Sequence, residues 1–323
     1  MANPLKSRWA DYVRYLSLIG VLAGLMIFFS FRSPYFFTAE NISNLLLAVS
    51  VIGTMAAVST LLIIGRGIDL SLGSICALCG LLTSMLIEEL HVPWMLGIPL
   101  GLLAGGICGA FNGIIVARFN ISPIITTIGT LSVFRGLAYV AKDGQPVLVS
   151  SDQLLFFGAQ KFLGLPASVW ILAAVLALCH FIALRTTYGR GVFAVGASPR
   201  AALIAGLDVP LYRFSLYVAS GVSAALAGIM MSGQAGTATP SAANAYELWV
   251  ITAVLLGGTS LNGGSGSVAR TALGVLIIGV LNNGMILVSV PTFYQIIANG
   301  TLLLAAVIID QLHQSRGAVL KDV

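Results

Sequence analysis

The chain reads as an all-α integral membrane protein with about ten transmembrane helices and both termini cytoplasmic. Three observations predict this. Hydrophobic residues fill 58% of the 323 positions and charged residues only 8%, whereas a soluble domain carries about 25% charge. The mean hydropathy is +0.99, which is more apolar surface than one soluble core of this length can hide, so lipid is the solvent that accounts for it. The apolar runs are long and lack two-residue alternation, which excludes a barrel and leaves helices to satisfy the backbone inside lipid.

A window of about twenty residues places the spans in order. The first, near 14–31, follows Lys6, Arg8 and Arg14 and ends at Phe31-Arg32-Ser33-Pro34. No small-x-small cleavage site closes it, so it is expected to stay as an anchored helix rather than a removed signal. The second runs near 42–64 and stops at the glycines around Arg66. The third (70–88) and fourth (93–117) are separated by Glu88, Glu89 and His91. The fifth (122–141) opens at Ser122-Pro123, and the sixth (166–184) follows the longest outside stretch, 142–165. The seventh (214–233), eighth (243–258), ninth (268–288) and tenth (293–312) complete the chain as one transmembrane domain, 1–323.

Charge orients the set. With the N-terminus inside, Lys6, Arg8, Arg14, Arg66, Arg118, Arg185, Arg190, Arg200, Arg213, Arg270, Arg316 and Lys321 fall on cytoplasmic segments. Arg32, Lys142 and Lys161 fall outside, and Arg135 lies late in the fifth span. The reverse orientation inverts the positive-inside bias. The spread of these residues over loop ends also explains the net charge of +5 without nucleic acid as a partner.

Two loops are long. The external one, 142–165, contains Leu154-Leu155-Phe156-Phe157 and is expected to be half-buried. The internal one, 185–213, is the most basic. Within it Ser198-Pro199 is a helix start, with serine at the cap and proline at the first helical position. A short helix from Arg200 to Ala205, ended by Gly206, is either a docking knob or a solvated connector. Two glycine-rich stretches, 65–74 and 258–267, both read Gly-x7-Gly-Ser before a span. Their residues Gly67, Asp69, Ser71, Gly73, Gly258, Asn262, Gly263 and Gly264 are expected to form turns and hinges, with Asp69 or Ser71 capping the third span. No Gly-Lys-Ser/Thr phosphate loop occurs, so nucleotide is not bound by that route.

The sequence offers no catalytic site and no metal site, so the chain is not expected to be an enzyme. Cys76, Cys79, Cys108 and Cys179 all lie in apolar spans and read as small buried residues. Acidic residues sit almost entirely at span ends or in loops, with Glu247 and Asp310 within about a turn of an interface, which argues against proton coupling. Uphill transport would therefore need energy from a partner. Embedded neutral groups, Asn112, Thr127, Asn282, Asn283 and Gln295 among them, either face a pathway for a polyhydroxylated solute or bond helix to helix.

In order along the chain, these motifs resemble the permease subunit of ribose-type ABC importers. The carriers are Pro34 to Asn44, Gly67-Ile-Asp-Leu-Ser-Leu-Gly-Ser74, Phe111-Asn-Gly-Ile-Ile-Val116, Thr127-Ile-Gly-Thr130 with Arg135-Gly136, Tyr188-Gly-Arg190 with 196–206, and Leu255 to Gly266 with Leu281-Asn-Asn-Gly284. The resemblance implies a bacterial inner-membrane subunit for a small neutral solute, most simply a monosaccharide. It implies a second permease copy or homologous chain, two cytoplasmic ATPase domains that hold the ATP-Mg, and a periplasmic or extracellular solute-binding protein. This chain itself would bind no cofactor. The coupling segment implied to meet the ATPase comprises Gly189, Arg190, Gly196, Ser198, Arg200, Ala201, Ala202, Gly206 and Asp208. The chain departs from the family at Arg66, where a small residue is common, at Ser198, at Arg200 and at Ser265. The alternative is a secondary transporter or passive facilitator working without ATPase partners.

Overall fold

The computed structural model describes residues 4–319, with side chains for residue 13, residues 15–308, and residues 310 and 311. Of the residues in the charge count, Lys6, Arg8, Arg14, Arg316 and Lys321 lie outside the described side chains. The helices are α1 (Pro4–Arg32), α2 (Ala39–Ile64), α3 (Leu72–Ser84) continued by a π turn (Met85–Glu89), α4 (Trp94–Arg118), α5 (Pro123–Ala141) and α6 (Asp152–Gly158). They continue as α7 (Ala167–Arg185), α8 (Thr187–Ala197), α9 (Pro199–Ile204), α10 (Val209–Ala235), α11 (Tyr246–Leu256), α12 (Val268–Leu287) and α13 (Thr292–Val319). Four two-residue strands pair as β1 (Val147–Leu148) with β4 (Thr237–Ala238) and β2 (Lys161–Phe162) with β3 (Leu165–Pro166), both antiparallel.

Among the described residues, eight helices are long and apolar enough to cross a membrane: α1 from Tyr15, α2, α3 with its π turn, α4, α5, α7, α10 and α12. The eighth and tenth expected spans coincide with shorter apolar helices, α11 and the 292–308 part of α13. Helix α2 is the axis of the molecule. It is buried around its whole circumference from Val49 to Ile64 and packs against α7, α10, α11 and α12. An apolar helix with no polar face belongs in such an interior. Helices α3 and α4 close on α10 through glycines. Added Cβ atoms at Gly105, Gly109 and Gly221 would strike backbone of the facing helix, and one at Gly80 would strike Gly228. Small residues are what let helix backbones approach this closely in lipid.

The segments assigned to opposite sides of the membrane meet at opposite ends. At the end expected to face outward (the outer end below), Lys142 pairs with Glu89 at 2.7 Å, and Glu88 accepts from Ser150 and Ser151. There α6 seats Leu154 in the interior, so part of the external loop is a docked helix. At the end expected to face the cytoplasm (the inner end below), the 64–66, 196–197 and 263–264 segments touch.

Three expectations are corrected. The 187–197 stretch is helical despite Gly189, Gly191 and Gly196, because those glycines answer close approach: a Cβ at 189 would strike Ile182 O and one at 191 the Tyr212 ring. The eighth span is helical only from Tyr246, because Ala243 and Ala245 hold left-handed φ of 51° and 63°. And Ser71 makes no side-chain cap on α3.

Candidate functional site

The chemistry-bearing residues gather in two places, the inner junction and a buried polar knot above it. The junction begins with how α2 ends. Gly65 N–H bonds Leu61 O, Arg66 N–H bonds Ile63 O, and Gly67 N–H bonds Leu62 O at 2.8 Å. With Arg66 at φ 65°, this is a Schellman ending whose left-handed position, normally glycine or asparagine, holds arginine. That backbone costs a non-glycine residue about 1–2 kcal/mol. The one remaining α2 carbonyl, Ile64 O, accepts from Gly264 N–H at 2.8 Å. All four terminal carbonyls are thus matched, as buried helix ends require.

The Arg66 side chain crosses to α8. Its Nε donates to Gly196 O at 2.6 Å and its Nη2 to Ala197 O at 3.1 Å. Gly196 lies so close to Ile64 O and Gly264 that a Cβ would collide, and a Cβ on Gly263 would meet the Arg66 stem. Gly263 and Gly264 both take left-handed φ, 77° and 74°. The junction is therefore a three-way backbone contact with one arginine threaded through it.

Helices α8 and α9 project from this junction. Ser198 caps α9 by accepting from Ala201 N–H at 3.3 Å, with Pro199 in the first turn. Gly206, at φ 85°, ends it through bonds from Gly206 N–H to Leu203 O and Leu207 N–H to Ala202 O. Asp208 then caps α10 by accepting from Leu211 N–H at 3.0 Å. Val195, Ala202 and Val209 form a small core under the α8–α9 pair. Outward, α9 presents Arg200, Leu203 and Ile204, the last 82% exposed. Gly189 is buried and Arg190 exposed. Tyr188 stacks on Tyr212 at 5.1 Å, and Ser215 gives its proton to Tyr212 O, so the phenol donates to Ser215 Oγ at 2.6 Å. Burial pushes that phenol above its ordinary range, with the Ser215 bond acting the other way.

The polar knot is built by the 65–71 loop, which turns inward between α4 and α10. Asp69 is 3% exposed. Its Oδ1 accepts from Ser71 N–H at 3.0 Å and Ser71 Oγ–H at 2.6 Å, and its Oδ2 from Ser220 at 2.8 Å. Asn112 donates to Ser71 Oγ at 2.8 Å, and Tyr217 donates to Ile68 O at 3.0 Å. Asp69 is thus neither a cap nor a span-end residue but a buried carboxylate tying the loop to two helices. Gly67 and Gly73 both answer close approach. Gly67 clears Leu62, and Gly73, inside α3, leaves room for Ala243 O and the Glu247 carboxylate. Gly258 does take a left-handed φ of 74° after α11, while Asn262 lies at the exposed tip of the next turn.

A second inward strap, 239–245, descends from β4. Arg135 of α5 holds it, donating to Pro240 O at 2.6 Å and Ala242 O at 2.7 Å. Between this strap, α3 and α10 lies a cavity of about 90 Å³, lined by Cys76, Ser232, Thr237 and Thr239 among others, room for roughly three waters. Glu247 begins α11 beneath the strap with its Oε2 buried and unpartnered. Near the outer end, Trp94, Phe156, Phe157, Asp152, Gln153 and Gln160 line a wider groove of about 310 Å³. Among the described residues no three His, Cys, Asp or Glu side chains could share a metal ion.

The five residues expected along a pathway do not converge. Asn112 belongs to the knot. Thr127 bonds back to Pro123 O within α5. Asn282 accepts from Asn299, Asn283 and Asn41 bond reciprocally, and Gln295 donates to Val290 O. The last three make contacts between or within helices near α12 and α13. The residues that sequence reasoning missed are Ser220, Tyr217 and the strap-holding role of Arg135. Only Arg135 carried a signal, a charge inside an apolar run.

Residues 41–309 match the family described as the branched-chain amino acid transport system permease component. The L-arabinose ABC transporter permease protein of Azospirillum brasilense is 35% identical over 94% of this chain and 90% of its own length. The ribose import permease protein of Bacillus subtilis is 38% identical over 89% of each chain. The D-allose transport system permease protein of Escherichia coli is 34% identical over 94% of this chain and 92% of its own. No solved structure matches.

Proposed function

Because the chain belongs to the family of branched-chain amino acid transport system permease components, we propose that its inner α8–α9 pair is the coupling segment through which partner ATPases drive import of a monosaccharide. It is a multi-pass inner-membrane permease subunit of the ABC importer class, and its partners are of the general kind such importers use, an ATPase and a solute-binding protein. The arabinose, ribose and allose permeases among its relatives support a pentose or hexose as the solute. A facilitator or secondary transporter working alone is not favoured.

One observation carries the coupling reading. Helix α9 sits at the basic end of the molecule and exposes Leu203 and Ile204, 61% and 82%, on a six-residue helix fixed at both ends. Exposed apolar side chains on a rigid projection mark a docking surface, here one for a cytoplasmic ATPase groove, with Arg200 as a charged rim contact. Two such ATPase domains, a second permease copy or a homologous chain, and a solute-binding protein complete the assembly. The ATP-Mg belongs to the ATPase chains. The outer groove, which the 142–165 loop forms with Trp94, is the corresponding surface for the binding protein.

The test is Arg200→Glu and Ile204→Glu in the assembled importer. Each is expected to lower ATPase stimulation by the loaded binding protein about tenfold, the scale of one lost interface anchor, with unchanged expression and membrane insertion. Wild-type stimulation in both variants would remove α9 from the interface.

A further inference from the structure

We infer that Arg66 is a latch that fixes the α8–α9 pair to the inner end of α2, so that the two move as one body during transport. The inference rests on reading α8–α9 as the coupling segment.

The position argues first. A left-handed helix ending is the place where glycine costs least, yet an arginine occupies it at φ 65°. The strained backbone aims the side chain away from α2 and across to α8. There the guanidinium reaches two consecutive carbonyls, Gly196 O at 2.6 Å and Ala197 O at 3.1 Å. These are the last carbonyls of α8, which have no partner within the helix and sit at the negative end of its dipole. A planar fork with several fixed donors can hold two carbonyls at once, which an ammonium group does poorly.

The surroundings argue next. The other α8–α2 contacts are packing contacts, with Val192 in the cluster that holds Leu61, Leu62 and Ile64 and the Gly196 backbone close against Ile64 O. Apolar contact is non-directional and permits sliding; hydrogen bonds fix direction and register. The Arg66 stem also lies where a Cβ of Gly263 would be, so the 263–264 turn closes over it, pinned by Gly264 N–H to Ile64 O. A push on α9 therefore reaches α2, the most buried helix, and the α11–α12 turn together. Arg66 commits its guanidinium to the two α8 carbonyls. It is a positioning residue, and it specifies a coupling path that this chain builds with a side chain.

Arg66→Gly separates latch from scaffold, because glycine suits the left-handed backbone and removes only the side chain. The importer, assembled with its ATPase and binding protein in proteoliposomes, is assayed with radiolabelled ribose, L-arabinose and D-allose, using whichever the wild type transports. Arg66→Gly is expected to melt close to the wild-type temperature, because the relieved left-handed strain offsets the lost hydrogen bonds, yet to carry about tenfold less sugar per ATP hydrolysed, the scale of losing a charge-assisted hydrogen bond. Arg66→Lys, which keeps the charge and one donor, is expected to fall in between. A wild-type ratio in Arg66→Gly overturns the latch, and so does a parallel loss of uptake and ATPase activity with a lowered melting temperature. Ile204→Glu in the same series keeps the two readings apart: normal ATPase stimulation there defeats the coupling assignment itself, whereas a defect there beside an unchanged Arg66→Gly ratio defeats the latch alone.

Discussion

At Asp69 both carboxylate oxygens are occupied, by two donors from Ser71 and one from Ser220. Removing that carboxylate leaves buried donors without acceptors, at about 1–3 kcal/mol for each. Asp69→Ala is therefore expected to lower the melting temperature of the detergent-purified protein clearly more than Asp69→Asn, which keeps one carbonyl oxygen. Equal melting temperatures would show that the knot adds nothing to stability. The sequence made Asp69 conspicuous, since an acid two residues before Ser71 and a long apolar run looks like a helix cap. Its chief helix partner, Ser220, lies 151 residues away, a pairing that no local pattern announces. Arg66 was similar. Its departure from the usual small residue was visible, but the two carbonyls that explain it are about 130 residues further on.

Among the elements, α9 was the most legible, because its signals are local: a serine cap, proline in the first turn, and glycine at the left-handed end. The α8 helix was hidden by its glycines, which serve packing that only the folded chain reveals. Helix α11 was overextended because Ala243 and Ala245 give no hint of left-handed backbone; alanine there is held by Arg135 and the bonds around the strap. The α4–α10 contact is a close one along its length, with Gly221 lodged against Gly105 O and Gly109. Gly221→Val pushes the two helices apart and is expected to cost roughly 1–3 kcal/mol or more by overpacking, read as a lower melting temperature. The same change at Gly24, which faces open space, should leave melting almost unaltered. A matched loss at both sites would mean that the contact is not special.

For the whole molecule, composition alone was enough to read the membrane and the helices, because those depend on bulk transfer energies rather than on particular partners, while the expected sidedness of the loops rests on where the basic residues fall. The route of the solute was not legible. Neutral polar residues in spans look the same whether they line a path or join helices, and here Asn282, Asn283 and Gln295 join helices or cap local backbone. A chain that depends on a separate motor should be inert alone. Purified and reconstituted without partners, it is expected to give no ribose, L-arabinose or D-allose uptake above empty liposomes, and measurable facilitated flux would revive the solitary carrier. The bond from Gly264 N–H to Ile64 O also has a bearing on how the protein is made. At about 5–20 residues per second, on the order of ten seconds or more separates the synthesis of these two ends. Throughout that interval the inner end of α2 waits with its last carbonyl unmatched, so the junction that serves transport in the finished protein is closed only late in biogenesis, and a chain broken off after α10 carries an open site there for the cell's proteases to find.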